Sequence, residues 1–313
     1  MYRDGEYIYH GIYKTLNYGK SFEKDFCNEY TYSAISNSYF SVELIGNNFY
    51  QAPREVYIHR LDPTNLTTIQ SEYITTINDG YADLTIDPFT NNLILDLAKN
   101  SYLLNSSDFS VINQWDIIDF ISNTSTTRSY YRNNVLVVEE LGTVDKVTFF
   151  DATTKAILYT DSTNINFYIA DNGRYFYNNE GLYEFINGSA NFITPIDFNG
   201  GVATSVVFMT NQNKCVYSNS NQHPVIFDFN TQTKTVLNAI SNVRDISYDQ
   251  KTNKLLFFEH IHPKSMVELF DLSTQNIKYL EVDDKFHTSG YFYRYLNGKL
   301  IYSGGLYLDK YLN

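Results

Sequence analysis

The residue spacing that most suggests chemistry is the segment EHIHPK at positions 259–264. Side chains two residues apart on a strand lie on the same side, so His260 and His262 would present two imidazoles to one metal ion. A neighbouring loop would add His223, and the next one His287 with Asp283 or Asp284. The favoured interpretation is that these are solvated loop residues and that the protein holds no cofactor. The alternative is a site for a divalent metal such as calcium or zinc.

A pair of carboxylates gives a second candidate. Glu139 and Glu140 are followed closely by Asp145, a grouping that suits acid–base work or a calcium ligand set. The alternative is a charged loop in an acidic protein. Nucleophile motifs are missing, since the sequence has no Gly-x-Ser-x-Gly, no His-Glu-x-x-His and no phosphate-binding Gly-rich loop. The sequence therefore favours a protein that is not an enzyme.

Charge and composition argue against several classes of function. The 313-residue chain has 23 Lys and Arg against 35 Asp and Glu, a net charge of −12, which argues against non-specific binding to nucleic acid or an anionic membrane. No apolar run approaches the roughly 20 residues of a membrane helix, so no membrane insertion is expected. The first ten residues, MYRDGEYIYH, lack the basic and apolar regions of a signal peptide. We expect either a cytoplasmic protein or, if a leader was removed, an extracellular or cell-surface one.

The elements that position these residues are predicted to be strands. The chain contains 29 Tyr and 22 Phe, and aromatic residues suit pleated, half-buried surfaces. A two-residue turn before an apolar strand recurs along the chain, with its second residue at positions 5, 48, 92, 134, 173, 213, 253 and 298. The intervals lie between 39 and 45 residues. Most of these turns are Asn-Gly, Asp-Gly or Asn-Asn, which tolerate the positive φ of tight hairpins.

A second turn keeps the same period. An apolar strand ends in Asp or Asn, and polar turn residues and another strand follow. The residues that begin these turns are Asp62, Asn105, Asp151, Asn187, Asp228 and Asp271. Their side chains accept hydrogen bonds from the backbone two residues on. Each unit therefore holds four short antiparallel strands, which at this period describe a β-propeller blade. We predict an all-β fold with few and short helices.

Phe-Asp-x-x-Thr turns that alternate with Asp-x-x-x-x-Asn-x-Leu hairpins resemble the superfamily of bacterial seven-bladed propellers of the YncE-like and WD-repeat type. The resemblance covers nearly the whole chain, and it implies a shape rather than an activity. The chain departs from its relatives in having a single Trp-Asp pair, Trp115-Asp116, and no sialidase box. The resemblance also implies a bacterial protein.

The number of blades follows from the two ends of the chain. The first unit lacks an inner strand before Asp4, and the last has no room for a fourth strand. We predict seven blades, with eight as the alternative. Propellers of this type complete one blade with strands from both termini, and a strand from roughly residues 19 to 26 would do so here. Residues 1–313 are thus predicted to form a single domain.

In the propellers that this chain resembles, the connections from second to third strand and from fourth to first strand gather on one face, where ligands bind. Lys99 falls on this face. The candidate binding residues on the same face are Arg54, Glu139, Glu140, His223, Arg244, Glu259, Lys264 and Asp283.

These observations favour a non-catalytic, monomeric binding module that presents this face to a protein or glycan partner. Tyrosine clusters such as Tyr291-Phe292-Tyr293 supply rings that can stack on sugars or anchor a protein. The alternative function is a metal-dependent hydrolase or lyase with its site in the central channel.

Overall fold

The structure is a computed structural model. It describes residues 2–4, 7–10, 13–16, 25–45, 53–78, 82–121, 127–140, 146–162, 167–178, 180–196, 206–218, 223–241, 243–261, 264–282, 293–296, 299–302 and 305–307. Within these ranges the chain forms antiparallel strands and two 3₁₀ helices of three residues each, Ile117–Asp119 and Thr210–Gln212. The prediction of an all-β fold with few and short helices is confirmed. None of the helices in these ranges has the length and apolar character needed to span a bilayer.

The chain begins with a three-stranded sheet of short strands. Its strands β1 to β3 are Tyr2–Asp4, Tyr7–His10 and Tyr13–Leu16.

One compact unit, Glu23–Asp62 and Thr68–Ile196, holds four four-stranded sheets. The first contains β4 to β7, Asp25–Ser33, Ser38–Ile45, Arg54–Leu61 and Thr68–Ile77. The second contains β8 to β11, Ala82–Ile86, Leu93–Leu97, Asn100–Leu104 and Val111–Asp116. The third contains β12 to β15, Thr127–Arg132, Val135–Glu140, Lys146–Asp151 and Ile157–Asp161. The fourth contains β16 to β19, Tyr168–Ile169, Tyr175–Asn178, Gly181–Ile186 and Ser189–Pro195.

The other compact unit is made of Met1–Phe22, Pro63–Thr67 and Asp197–Asn313. Besides β1 to β3 it holds two four-stranded sheets and one three-stranded sheet. The first contains β20 to β23, Val206–Met209, Lys214–Ser218, Pro224–Asp228 and Thr233–Val236. The second contains β24 to β27, Val243–Asp249, Lys254–Ile261, Lys264–Asp271 and Ile277–Val282. The three-stranded sheet contains β28 to β30, Tyr293–Leu296, Lys299–Tyr302 and Gly305–Tyr307.

The fold is a β-propeller of four-stranded antiparallel blades, and the described residues form six such blades rather than the predicted seven or eight. The count differs because the repeats at the two ends of the chain each contribute only three described strands. Most of the strand predicted at about residues 19 to 26 lies outside the described residues, and β4 begins at Asp25 as the first strand of its own blade. A single domain closed by strands from both termini stays a prediction.

The turns between third and fourth strands begin at the predicted residues in all six blades. At Asp271, the backbone N–H groups of Ser273 and Thr274 donate to the carboxylate at 2.9 and 3.0 Å, and the N–H of Gln275 donates to the carbonyl of Asp271 at 2.7 Å. Gln275 takes a φ of 60°. Asp151 and Asp228 accept the same pattern of backbone hydrogen bonds. The side chain therefore initiates the turn, as the residue type predicts.

The turns between first and second strands follow the prediction in five of the six blades. Their predicted residues are Asn91-Asn92, Asn133-Asn134, Asn172-Gly173, Gln212-Asn213 and Thr252-Asn253. In the first blade the prediction of Asn47-Asn48 is wrong, because the turn there is Ala34–Asn37, between β4 and β5. Asn37 supplies the positive φ, 44°. Asn47 and Asn48 lie outside the described residues, on the connection between β5 and β6.

Each pair of neighbouring blades in a unit shares its own apolar core, because residues alternate between the two faces of a strand. In β13, for example, Val137 packs with Phe149 and Phe176 toward the fourth sheet of its unit, whereas Val138 packs with Trp115 toward the second. The fourth strands are the most exposed. The apolar cores therefore lie between neighbouring sheets of a unit.

We predict that Asp271→Ala lowers the melting temperature by roughly 1–3 °C, because the turn loses its acceptor. Asp271→Asn is the matched control, since Asn105 makes the equivalent bond from the Ser107 N–H in β10–β11. Thermal unfolding followed by circular dichroism measures both variants. A melting temperature that is the same for Asp271→Ala and wild type would show that the side chain does not start the turn.

The same residue predicts a dependence on pH. The hydrogen bond from the Thr274 backbone, helped by Ser273 and Lys254 and opposed by burial, holds the pKa of Asp271 below its ordinary value. The carboxylate therefore stabilises the fold fully above the unfolded pKa of about 3.9, and this stabilisation is lost as pH falls through the lower folded pKa. The advantage of wild type over Asp271→Asn should shrink as pH falls below about 4. An advantage that stays constant down to acid pH would contradict this assignment.

Candidate functional site

The face predicted to bind a ligand is built from the ends of second strands and the beginnings of third strands. In the third sheet, Glu139 and Glu140 end β13, and Glu140 lies opposite Lys146 at the start of β14. Lys146 Nζ and Glu140 Oε1 are 3.1 Å apart, and both side chains are partly exposed. Such a surface pair contributes little to stability, so both groups can exchange it for contacts with a ligand.

Glu139 has a different environment from its neighbour. It is buried, and Tyr130 Oη donates to its carboxylate at 3.3 Å. Burial, with a smaller contribution from the charge of Glu139, raises the pKa of Tyr177 to about 12. Because adjacent residues on a strand face opposite sides, β13 separates the two carboxylates rather than presenting them together. Asp145, the third predicted acid, lies outside the described residues.

Arg54 begins β6, where it is buried, and its Cα lies opposite that of Ile77 in β7. Its neighbour Glu55 is exposed and accepts a hydrogen bond from Tyr57 Oη at 3.1 Å. That bond to a carboxylate raises the pKa of Tyr57. At this strand end, the exposed group is therefore the carboxylate of Glu55 and not the guanidinium of Arg54.

Lys99 and Ile118 are exposed on the face in the second sheet, together with Asp116 and Asp119. Lys99 lies in the turn between β9 and β10, and Ile118 lies on the 3₁₀ helix that follows β11. The N–H of Ile117 donates to the carbonyl of Lys99 at 3.0 Å and holds the two connections together. Ile118 is 71 % exposed. A cationic and an apolar residue therefore lie on two connections that a backbone hydrogen bond joins.

In the other unit, His223 immediately precedes β22 and is partly buried. Its Nδ1 lies 2.5 Å from the carbonyl oxygen of Ile240, so Nδ1 carries a proton and donates to that oxygen. Arg244 occupies an irregularity in β24, where the pairing with β25 shifts between Val243 and Asp245. Only the backbone of Arg244 is described.

The residues predicted to bind a metal are largely beyond what the structure describes. Glu259 and His260 lie near the end of β25, and Lys264 begins β26, with only their backbones described. His262, Asp283 and His287 lie outside the described residues. Among the side chains that are described, no group of three or more His, Cys, Asp or Glu is arranged to hold a metal ion. The metal site and the hydrolase or lyase alternative stay predictions.

Among the described residues, the densest cluster of charges is one that the sequence did not predict. Arg132, at the end of β12, is 1 % exposed and forms ion pairs with Asp96 in β9 and with Asp83 in β8. Its Nη2 lies 3.3 Å from Asp83 Oδ2, and its Nη1 contacts Asp96 Oδ2. The N–H of Tyr131 donates to the other oxygen of Asp96 at 2.9 Å. Asp171, in the turn between β16 and β17, adds a third carboxylate near the guanidinium.

The electrostatics of this cluster follow from burial. Burial raises the pKa of Asp96 and of Asp171, and the positive charge of Arg132 only partly opposes this. Burial disfavours the charged guanidinium, but Asp96, Asp83 and Asp171 outweigh it and raise the pKa of Arg132. Gly173 takes a φ of +67°, and a Cβ there would come within 3.0 Å of the Arg132 backbone oxygen. One guanidinium thus joins three sheets of the unit.

A second buried pair lies in the first sheet. His59 Nε2 and Glu43 Oε2 are 2.8 Å apart, and both side chains are almost fully buried. The Cα of Ser41 lies opposite that of His59, but neither Ser41 Oγ nor His59 Nδ1 makes a hydrogen bond within the described residues. Ser41, His59 and Glu43 are the residue types of a nucleophile, a base and an acid. Ser41 is 0 % exposed, however, so no substrate reaches it. The pair is a structural one.

A single charged residue within an apolar strand marks both the Arg132 cluster and the His59–Glu43 pair in the sequence. Asp96 interrupts the apolar strand LILDL, and Glu43 interrupts FSVELI. Buried charges are rare unless they are paired, so a lone charge within an apolar strand predicts a partner from another strand. Asp96 and Glu43 lie within their strands, so the predicted binding face at the strand ends did not include them.

No protein-family model matches the chain, and no curated protein sequence matches it. Solved structures do match. A chain of the crystal structure of a mitotic checkpoint complex has a TM-score of 0.56 and 10% identity, over 96% of this chain and 90% of that one. The structure of Kluyveromyces lactis Hsv2 with complete loop 6CD has a TM-score of 0.48 and 16% identity, over 67% of this chain and 66% of that one. At such identities the first likeness is one of fold alone.

The Arg132 cluster predicts a large effect of one substitution. Arg132→Met should lower the free energy of unfolding by about 3–5 kcal/mol, because it leaves Asp96 as an uncompensated buried carboxylate. Lys155→Ala is the control, since it removes an exposed pair with Asp119 and should cost less than about 1 kcal/mol. Urea unfolding measures both. A similar cost for the two variants would contradict the assignment.

The cost of Arg132→Met should also depend on pH. Without the guanidinium, the pKa of Asp96 rises further, so protonation relieves the buried charge at a higher pH. Because a raised folded pKa destabilises the fold at pH values above it, the cost should be largest at alkaline pH and decrease on acidification. Urea midpoints of both proteins across pH would show this, and a cost that grows on acidification would exclude it.

Proposed function

We propose that this β-propeller is a non-catalytic binding protein that presents the second-to-third and fourth-to-first connections to a protein partner. The observation that carries the proposal is the exposed pair of Lys99 and Ile118 on the predicted face. Protein interfaces combine a few apolar anchors with charged residues at their edge. The likeness in fold to a chain of a mitotic checkpoint complex supports a protein partner.

The anchor is held in place before a partner arrives. The N–H groups of Phe120 and Ile121 both donate to the carbonyl of Ile117, at 2.8 and 3.1 Å, and fix the helical turn that carries Ile118. Phe120 packs edge-on against Phe150 at 5.4 Å, and Lys155 pairs with Asp119 at 3.0 Å. A side chain that is already positioned loses less conformational entropy on binding, which strengthens an interface of a given size.

A glycan is the second partner class that the proposal includes. Tyr73 on β7 is 46 % exposed, and its ring meets that of Tyr57 edge-on at 5.6 Å. Glu55, which accepts from Tyr57 Oη, places a hydrogen-bond acceptor beside these rings. Rings and carboxylates together are the groups that stack on sugars and bond their hydroxyls. We further propose a monomeric module of the cell surface or exterior that needs no cofactor.

The test compares wild-type protein with variants of Ile118 and Lys99 on the predicted binding face. We expect saturable binding to a cell-surface extract or to a glycan array, reduced at least about fivefold by Ile118→Ser and by Lys99→Glu. Ile186→Ser is the control, because this residue is 43 % exposed and belongs to β18 of another sheet. If both variants bound as wild type does, the partner would have to bind a different surface and the proposal would be wrong.

An activity screen completes the test. Hydrolysis or elimination of small substrates by purified protein, with no partner bound, would overturn the proposal in favour of an enzyme. Dialysis against a chelator before the screen, followed by calcium or zinc, would then show whether that activity requires a metal.

A further inference from the structure

Two neighbouring turns carry an unusual pair of exposed apolar side chains. Ile35, in the turn Ala34–Asn37, is 82 % exposed, and Phe89, in the turn between β8 and β9, is 65 % exposed. Ala34 and Pro88 beside them are exposed as well. The first-to-second turns of the other four described blades expose no large hydrophobic side chain in the residues that the structure describes. The feature is therefore not a property of the repeat.

The two turns are fixed to one another and within themselves. Ser33 Oγ donates to Asn91 Oδ1 at 2.7 Å and joins the first sheet to the second. The N–H of Ser36 donates to Ser33 Oγ at 3.0 Å, and the N–H of Phe89 donates to Asp87 Oδ1 at 3.0 Å. Ile35 and Phe89 are therefore displayed on rigid supports. Rigid apolar anchors bind at a low cost in conformational entropy.

Near the pair lie a partly buried cation and an exposed carboxylate. Arg60 Nη2 donates to the backbone carbonyls of Ser106 and Ser107, the latter at 2.9 Å. The two turns contain no charged residue outside the buried Asp87, which is itself a hydrogen-bond acceptor for the turn. Asn91 Nδ2 lies 3.4 Å from Ser106 Oγ, which brings the turn after β10 alongside. Asp108 in that turn is exposed, and its two hydrogen bonds from Ser110 hold its pKa below the ordinary value. Three turns joined by hydrogen bonds therefore expose two apolar side chains and one carboxylate.

We propose that Ile35 and Phe89 are paired anchors for a second, different protein whose surface offers an apolar pocket bordered by Lys or Arg. Large exposed hydrophobic side chains that lie together mark interaction sites, and anchors of this kind carry most of the binding energy. A positive pocket edge would complement Asp108 and the net charge of −12. Two copies of this chain that met through the same surface would instead bring like charges together.

This interaction surface is separate from that of the proposed function. First-to-second turns lie at the strand ends opposite the second-to-third connections, within each sheet. The surface would therefore add a second binding partner, and the failure of either proposal leaves the other open to its own test.

The probe is a library of random twelve-residue peptides displayed on phage and selected on the wild-type full chain. We expect enriched peptides with apolar residues next to Lys or Arg. Synthetic copies should bind Ile35→Ser and Phe89→Ser at least about tenfold more weakly in fluorescence anisotropy. Asp108→Asn should weaken binding and reduce its dependence on salt. The matched control is Ile157→Ser, whose isoleucine is also 65 % exposed, and it should bind as wild type does.

Three results would overturn the proposal. Selection could enrich no peptide, or the enriched peptides could bind Ile35→Ser and Phe89→Ser as tightly as wild type. Analytical ultracentrifugation could instead show a wild-type dimer that Phe89→Ser dissociates, which would assign the surface to a second copy of the chain. We expect the variants to melt at the same temperature as wild type, because both side chains lie outside the apolar cores. Equal melting temperatures would show that a loss of binding does not result from unfolding.

Discussion

The ion pairs of Arg132 are the constraint on which the arrangement of one unit depends. A guanidinium that is 1 % exposed lies between carboxylates from two strands of the second sheet and a turn of the fourth. Apolar packing between blades is non-directional and tolerates sliding, whereas a buried charge must meet its partners or pay a large desolvation cost. We infer that the apolar cores hold these blades together and that Arg132 fixes their register.

The turns explain why the repeat could be predicted from the sequence. Asp151, Asp228 and Asp271 each accept hydrogen bonds from the two backbone groups that follow, so the residue type encodes the local geometry directly. The prediction was wrong at Asn47-Asn48 because Asn37 provides the positive φ ten residues earlier, in a turn with no Asn-Asn or Asn-Gly pair. Blade number was wrong for a different reason. Strand count at the chain ends depends on pairing over long distances, which local turn signals do not contain.

The candidate site could be predicted only in part. Strand order placed Glu139, Glu140 and Lys99 at the expected strand ends, because a four-strand repeat fixes which turn lies at which end. It could not show that β13 turns Glu139 inward to Tyr130 while Glu140 reaches Lys146. Nor could spacing reveal the partners of Asp96, since Arg132 lies 36 residues away and meets it only across a blade interface. The sequence of a single strand does not specify which residues of a neighbouring blade it contacts.

The contrast between buried, paired charges and exposed side chains on the connections indicates where such a protein binds a partner. Charges that the strands bury are paired within the scaffold, as in the pairs of Arg132 with Asp96 and of His59 with Glu43. A side chain that stabilises a blade interface cannot be released to a ligand without loss of stability. The groups that remain available for recognition lie on the connections between strands. There the backbone polar groups form hydrogen bonds with one another, and the side chains are exposed to solvent. Ile35, Phe89 and Ile118 meet this condition, and hydrogen bonds within two turns and one 3₁₀ helix order the segments that carry them.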